Sequence, residues 1–80
     1  MKQQTFIAFF LNAEKEKIDF ERFSCKRAET VKKYIVQLWQ SELYRICTKG
    51  AETVTIYATP DGIHEQPHPV AVVNLADIAI

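Results

Sequence analysis

The segment TFIAFFL, residues 5–11, is apolar on both of its alternating sets, Phe6, Ala8 and Phe10 on one and Ile7, Phe9 and Leu11 on the other. Successive side chains of a strand point to opposite faces, so a strand of this kind needs cover on both sides, or a central place in its sheet. The demand is severe in a chain of 80 residues, which buries only ~60–65% of the surface its unfolded form exposes. Six apolar residues in a row, Phe6 to Leu11, are too few for the hydrophobic region of a signal peptide or a membrane span. The segment reads as a strand.

A second strand is predicted over residues 17–24, where Ile18 and Phe20 alternate with Asp19 and Glu21, the pattern of a half-exposed strand. The polar connection NAEKEK joins it to the first. Over residues 26–48 the period changes. Ala28, Val31, Ile35, Leu38, Trp39, Leu43 and Ile46 recur at three- and four-residue steps, which places them along one side of a single long helix. Such a helix would be roughly 33 Å long, enough to cross a small sheet. Gly50 is the expected C-cap, with Arg45 and Lys49 near the negative end of the helix dipole.

Residues 53–59, TVTIYAT, form the next predicted strand, and Thr59-Pro60-Asp61-Gly62 is a turn signature. Pro67 and Pro69 keep residues 63–69 irregular, and residues 70–75 supply a short last strand. The expected fold class is therefore α+β: a two-layer ββαββ domain over residues 1–80, with an antiparallel sheet ordered 2-1-3-4 and one helix packed on one face. One helix covers one face only. A homodimer through the uncovered sheet face, another partner, or the apolar tail, residues 76–80, would cover the other.

With 48% hydrophobic and 25% charged residues the chain belongs with folded soluble domains. Cys25 and Cys47 lack the spacing of a disulfide scaffold, which points to a reduced, cytoplasmic setting with no membrane association. No phosphate-cradling glycine loop, nucleophile elbow or helical His-Glu pair occurs, so no catalytic residue is assigned and a non-enzymatic role is expected. His64 and His68 lie among prolines that forbid the helix on which this spacing usually ligates metal, and the cysteines form no zinc knuckle. No metal or other cofactor is expected.

Charge distribution carries the functional signal. Net charge is zero, yet residues 26–49 hold six basic and two acidic side chains, and residues 50–80 hold four acidic and no basic ones. Separation of this kind gives a neutral molecule a local potential that steers partners. With Ala28, Ile35, Trp39 and Ile46 at the centre of the buried stripe, Lys26, Lys33, Gln37 and Tyr44 fall on the outer side and Arg27 and Arg45 on its flank. Those six residues form the expected partner-binding surface. Lys26, Arg27, Lys32 and Lys33 crowd the first turns of the helix, where its dipole disfavours cations by ~0.3–1 kcal/mol each. Helix stability did not select them, whereas a solvated face with a Glu29–Lys33 pair would ask nothing more of them.

In size and element order the chain resembles inhibitors carried by mobile elements, including some anti-CRISPR proteins, and the resemblance implies a small adaptor or inhibitor. A protein-interaction module that binds an acidic or apolar partner surface is thus the first expectation. Binding of single-stranded RNA or DNA is the alternative, with Phe6, Phe9, Phe10, Phe20 and Phe23 as a stacking platform. A pI of about 6.7 favours the protein partner.

Overall fold

The computed structural model describes residues 3–79. Four strands, β1 (Gln4–Leu11), β2 (Lys17–Cys25), β3 (Thr53–Ala58) and β4 (Ala71–Asn74), pair antiparallel in the order β2-β1-β3-β4. The doubly apolar segment is central, one of the two places its pattern allows. Phe6 pairs with Phe23 and Ala58, and Ala8 with Glu21 and Ile56, so the register puts Phe6, Ala8, Phe10, Val54 and Ile56 on one face. Ile7, Phe9, Leu11, Thr55 and Tyr57 take the other.

The β1–β2 connection is built by Asn12, whose Oδ1 accepts from the backbone N–H groups of Glu14 (3.0 Å) and Glu16 (2.9 Å). Lys15 there has φ 66°, in the left-handed region that favours glycine.

The helical segment is two helices where the sequence pattern predicted one. α1 (Ala28–Trp39) ends at Gln40, and α2 (Glu42–Cys47) begins after Ser41. Ser41 is extended (φ −79°, ψ 119°) and its Oγ accepts from the N–H of Tyr44 at 3.3 Å, an N-cap that starts a new helix. The Arg45 guanidinium turns back to the carbonyl of Trp39, near the end of α1. The break changes which side of the second helix meets the sheet. Tyr44 packs against Phe10, with ring centroids 5.7 Å apart, and Thr48 is buried. Leu43 and Ile46, expected in the buried stripe, are 71% and 63% exposed.

One buried cluster joins α1 to the sheet: Val31, Ile35 and Trp39 from the helix, Phe6, Ala8, Phe10, Val54 and Ile56 from β1 and β3, with Cys25 and Leu75. Trp39 stacks on Phe10 at a centroid distance of 6.5 Å. After β4 the chain turns through a short 3-10 helix, Leu75–Asp77, which Asn74 caps through Oδ1. Leu75 and Ile78 then join the helix-side core, and Gln40 Nε2 donates to the carbonyl of Ala79 at 2.6 Å. As far as residue 79, therefore, the tail closes the helix side and leaves the opposite sheet face without that cover.

Candidate functional site

The six residues expected to form the binding surface separate into two groups. Lys26, Arg27, Lys33 and Gln37 are exposed. Arg27 is the N-cap of α1, extended and without a side-chain cap bond, and its carbonyl accepts from Thr30 N–H at 3.1 Å. Arg45 is half-buried and serves the end of α1 through Trp39. Tyr44 is not on the outer face: it lies between Phe10 and the acids of β2, and its hydroxyl donates to Glu21 Oε1 at 3.4 Å. Burial, reinforced by the charges of Glu21 and Asp19 and by the bond to Glu21, raises the proton affinity of this phenol well above its ordinary value.

Of the exposed group, Gln37 lines an apolar groove that the sequence pattern did not indicate, and Lys33 lies beside it. Its walls are Glu21 and Phe23 of β2, Tyr34, Gln37 and Leu38 of α1, and Ser41, around about 430 Å³. Phe23 and Tyr34 stack on each other in its wall, ring centroids 5.6 Å apart and 18° from parallel. Gln37 is shared with a neighbouring hollow lined by Lys32, Lys33 and Val36, so the lysines stand on the rim. The Glu29–Lys33 ion pair does not form. Among the described residues Lys17 pairs with Glu65 (4.0 Å) and Asp61 meets the His64 ring (2.7 Å), which leaves Lys26, Arg27, Lys32 and Lys33 without an acidic partner within 4.0 Å.

The opposite sheet face, on which Ile7 is buried and Phe9 and Tyr57 are half-buried, carries a second apolar surface. Phe9 lies 6.4 Å from Phe20 and 5.9 Å from Tyr57, centroid to centroid. Lys17 Nζ stands 3.9 Å over the Phe9 ring, and the Arg22 guanidinium 5.9 Å over Phe20. Lys17 also meets Glu65, so the carboxylate of the β3–β4 loop stands over β1 on this face. The five phenylalanines do not form one platform. Phe6 and Phe10 are buried under the helices and Phe23 lines the groove, while Phe9 and Phe20 remain on the open side and are joined there by Tyr57.

No family model, curated protein or solved structure matches the chain. Its chemistry is therefore read from its own residues.

Asp61 accepts from the N–H of His64 (2.7 Å), from His64 Nδ1 (2.7 Å) and from the N–H of Ile63 (3.0 Å). These bonds, led by the backbone N–H of His64, hold its carboxyl well below the usual range and organise the turn in which Gly62 has φ 75°. The displaced proton affinities of Tyr44 and Asp61 thus have local structural causes. Cys25 is buried, its Sγ donating to the carbonyl of Arg27 at 3.2 Å, and Cys47 is exposed; neither is in a disulfide. Among the described residues no three of His, Cys, Asp and Glu converge as metal ligands, and no helix is long and apolar enough to cross a membrane.

Proposed function

We propose that this chain is a small, non-catalytic protein-interaction module, an adaptor or inhibitor, that docks a partner on the side formed by α1 and β2. The observation that carries the reading is the pairing of an apolar groove, floored by Phe23, Tyr34 and Leu38, with a basic rim whose charges have no acidic partner within the described residues. A desolvated apolar centre with a charged border is how stable protein interfaces divide affinity from steering. Lys26, Arg27, Lys33 and Gln37 are the contact residues in this reading. Tyr44 and Arg45 act on it indirectly, by holding α2 and the end of α1.

The test is a pull-down from native extract, repeated after nuclease treatment, with wild type and with the double variant Lys26→Glu/Lys33→Glu. A partner that survives nuclease and is lost from the variant supports the reading. Loss on nuclease treatment contradicts it.

A second reading rests on the open face, where Phe9, Phe20 and Tyr57 lie beside Lys17 and Arg22. Aromatics interleaved with cations on an open sheet suit a single-stranded nucleic acid. The carboxylate of Glu65 at Lys17 opposes it, since a phosphate would compete with that contact. Tyr57→Ser discriminates. It should abolish binding of a single-stranded oligonucleotide if this face is the site, and leave a groove-bound protein partner unaffected.

A further inference from the structure

β2 forms one wall of the groove, and the backbone there is as informative as the side chains. β2 is an outer strand of the sheet, nine residues long against four for β4 at the other edge. No described residue pairs with its outer edge. The hydrogen-bonding phase of that edge follows from the centre of the sheet. The carbonyl of Thr5 accepts from Thr59 N–H (2.9 Å) and that of Leu11 from Glu52 N–H (2.8 Å), so the odd-numbered residues of β1 turn their polar groups toward β3. The even-numbered ones turn toward β2. Their partners Asp19, Glu21, Phe23 and Cys25 therefore face inward, and the N–H and C=O groups of Phe20, Arg22 and Ser24 face outward. One bond agrees directly: the outward N–H of Phe20 is taken by its neighbour's carboxylate, Asp19 Oδ1, at 2.8 Å. Arg22 and Ser24 have no such cover in the hydrogen bonds of the described residues.

We propose that the outer edge of β2 receives an extended segment of the protein partner as a fifth strand, with an apolar side chain of that segment seated in the groove. The proposal rests on the protein-binding reading above and specifies the form of its ligand. Main-chain bonds to Arg22 and Ser24 supply affinity, and alternate side chains supply selectivity. On the helix side an incoming residue beside Phe23 enters the space between that ring, Tyr34 and Leu38, which selects an aliphatic or aromatic side chain. On the open side its neighbours are Phe20 and Arg22. An acidic residue fits next to the Arg22 guanidinium. The ligand is thus an extended peptide that alternates apolar residues with Asp or Glu.

Pairing of β2 with a second copy of the chain is restricted in register. Two-fold pairing of β2 with itself, centred on Phe20, Glu21 or Arg22, sets Asp19 opposite Glu21, Glu21 opposite Glu21, or Arg22 opposite Arg22. Like charges directly across a strand pair are destabilising.

The experiment pans a displayed library of random nonapeptides against the immobilised full chain, then uses the enriched peptide in synthetic form. The expected consensus alternates apolar and acidic residues. Adding the peptide should slow amide exchange of Arg22 and Ser24 by tenfold or more. Arg22→Pro, whose lost N–H points outward and so breaks no bond to β1, should weaken binding at least tenfold. Leu38→Glu should do the same by filling and charging the groove, and it keeps the test open if the proline variant folds poorly. Strand addition is overturned if no sequence is enriched, if exchange slows elsewhere than residues 20–24, or if both variants bind normally. Peptides that survive Arg22→Pro but are lost from Lys26→Glu/Lys33→Glu leave the protein-binding reading standing without strand addition. Protection of Arg22 and Ser24 without peptide, rising with protein concentration, assigns the edge to a second copy and overturns the proposal.

Discussion

Trp39 joins the two layers: it is 9% exposed and stacked on Phe10, itself fully buried. Trp39→Ala should cost ~3–5 kcal/mol, from lost transfer energy and the cavity left behind, a large part of the stability of so small a domain. Urea denaturation measures it, and an unchanged midpoint would contradict the packing. Tyr44 offers a pH-dependent test. Its phenol holds its proton more tightly in the folded chain than in the unfolded one, where the ordinary value is 10.0. Any stability that depends on the protonated form is therefore intact below about pH 10 and declines above it, because the unfolded chain ionises first. Tyr44→Phe should remove that alkaline decline while leaving the fold at neutral pH, as pH-dependent denaturation would report. In Lys15, with φ 66° in the β1–β2 connection, the strain belongs to the backbone. Lys15→Gly should be neutral or stabilising by up to ~1 kcal/mol in thermal unfolding, relief of strain being offset by the greater freedom of glycine when unfolded.

The strands were legible because their constraint is local. A segment apolar on both alternating faces needs cover on both sides or a central place, and β1 is central; the order of pairing follows from the same reading. The helical region was less so. Periodicity registers Leu43 and Ile46 as continuing the stripe of Val31 and Ile35, but it is blind to a cap, and Ser41 resets the phase so that Tyr44 faces inward instead. The signal was a serine followed by Glu42, an N-cap and first-turn acid within an otherwise continuous pattern. Ser41→Ala should cost ~0.5–2 kcal/mol and loosen α2 selectively. Amide exchange should rise across residues 42–48 more than in α1, and a uniform rise would contradict the break. β2 hides a similar feature. Ile18 and Phe20 are apolar on the open face, while Phe23 and Cys25 are apolar on the helix face, so apolar character changes sides within one strand. That change exposes Phe20 on one side and furnishes the groove on the other. It can be read along the strand, but the face that meets the helix is fixed only by pairing Phe6 with Phe23.

Assembled, the molecule presents two apolar surfaces on opposite sides of one thin sheet: the groove between α1 and β2, and the open face around Phe9, Phe20 and Tyr57. Of the six residues expected at the partner surface, Lys26, Arg27, Lys33 and Gln37 are exposed as anticipated and Tyr44 and Arg45 are not, for a physical reason. Lys26, Arg27, Lys33 and Gln37 lie on or before α1, whose phase the periodicity gives correctly, whereas Tyr44 and Arg45 follow the break. A groove cannot be read from one helix or one strand, since it exists only between them. Lys26→Glu/Lys33→Glu should leave the unfolding transition within ~1 kcal/mol of wild type, because exposed charges contribute little to stability. Its effect belongs to association. The most direct measurement is the affinity of the nuclease-resistant partner for wild-type chain at ~50 and ~200 mM salt. A protein seated on an apolar groove with a charged rim should weaken only modestly over that range, with the loss in the association rate. A fall of ~10³-fold or more, with comparable affinity for unrelated DNA or RNA, is the signature of counterion release from a phosphate backbone and would contradict the protein-docking account.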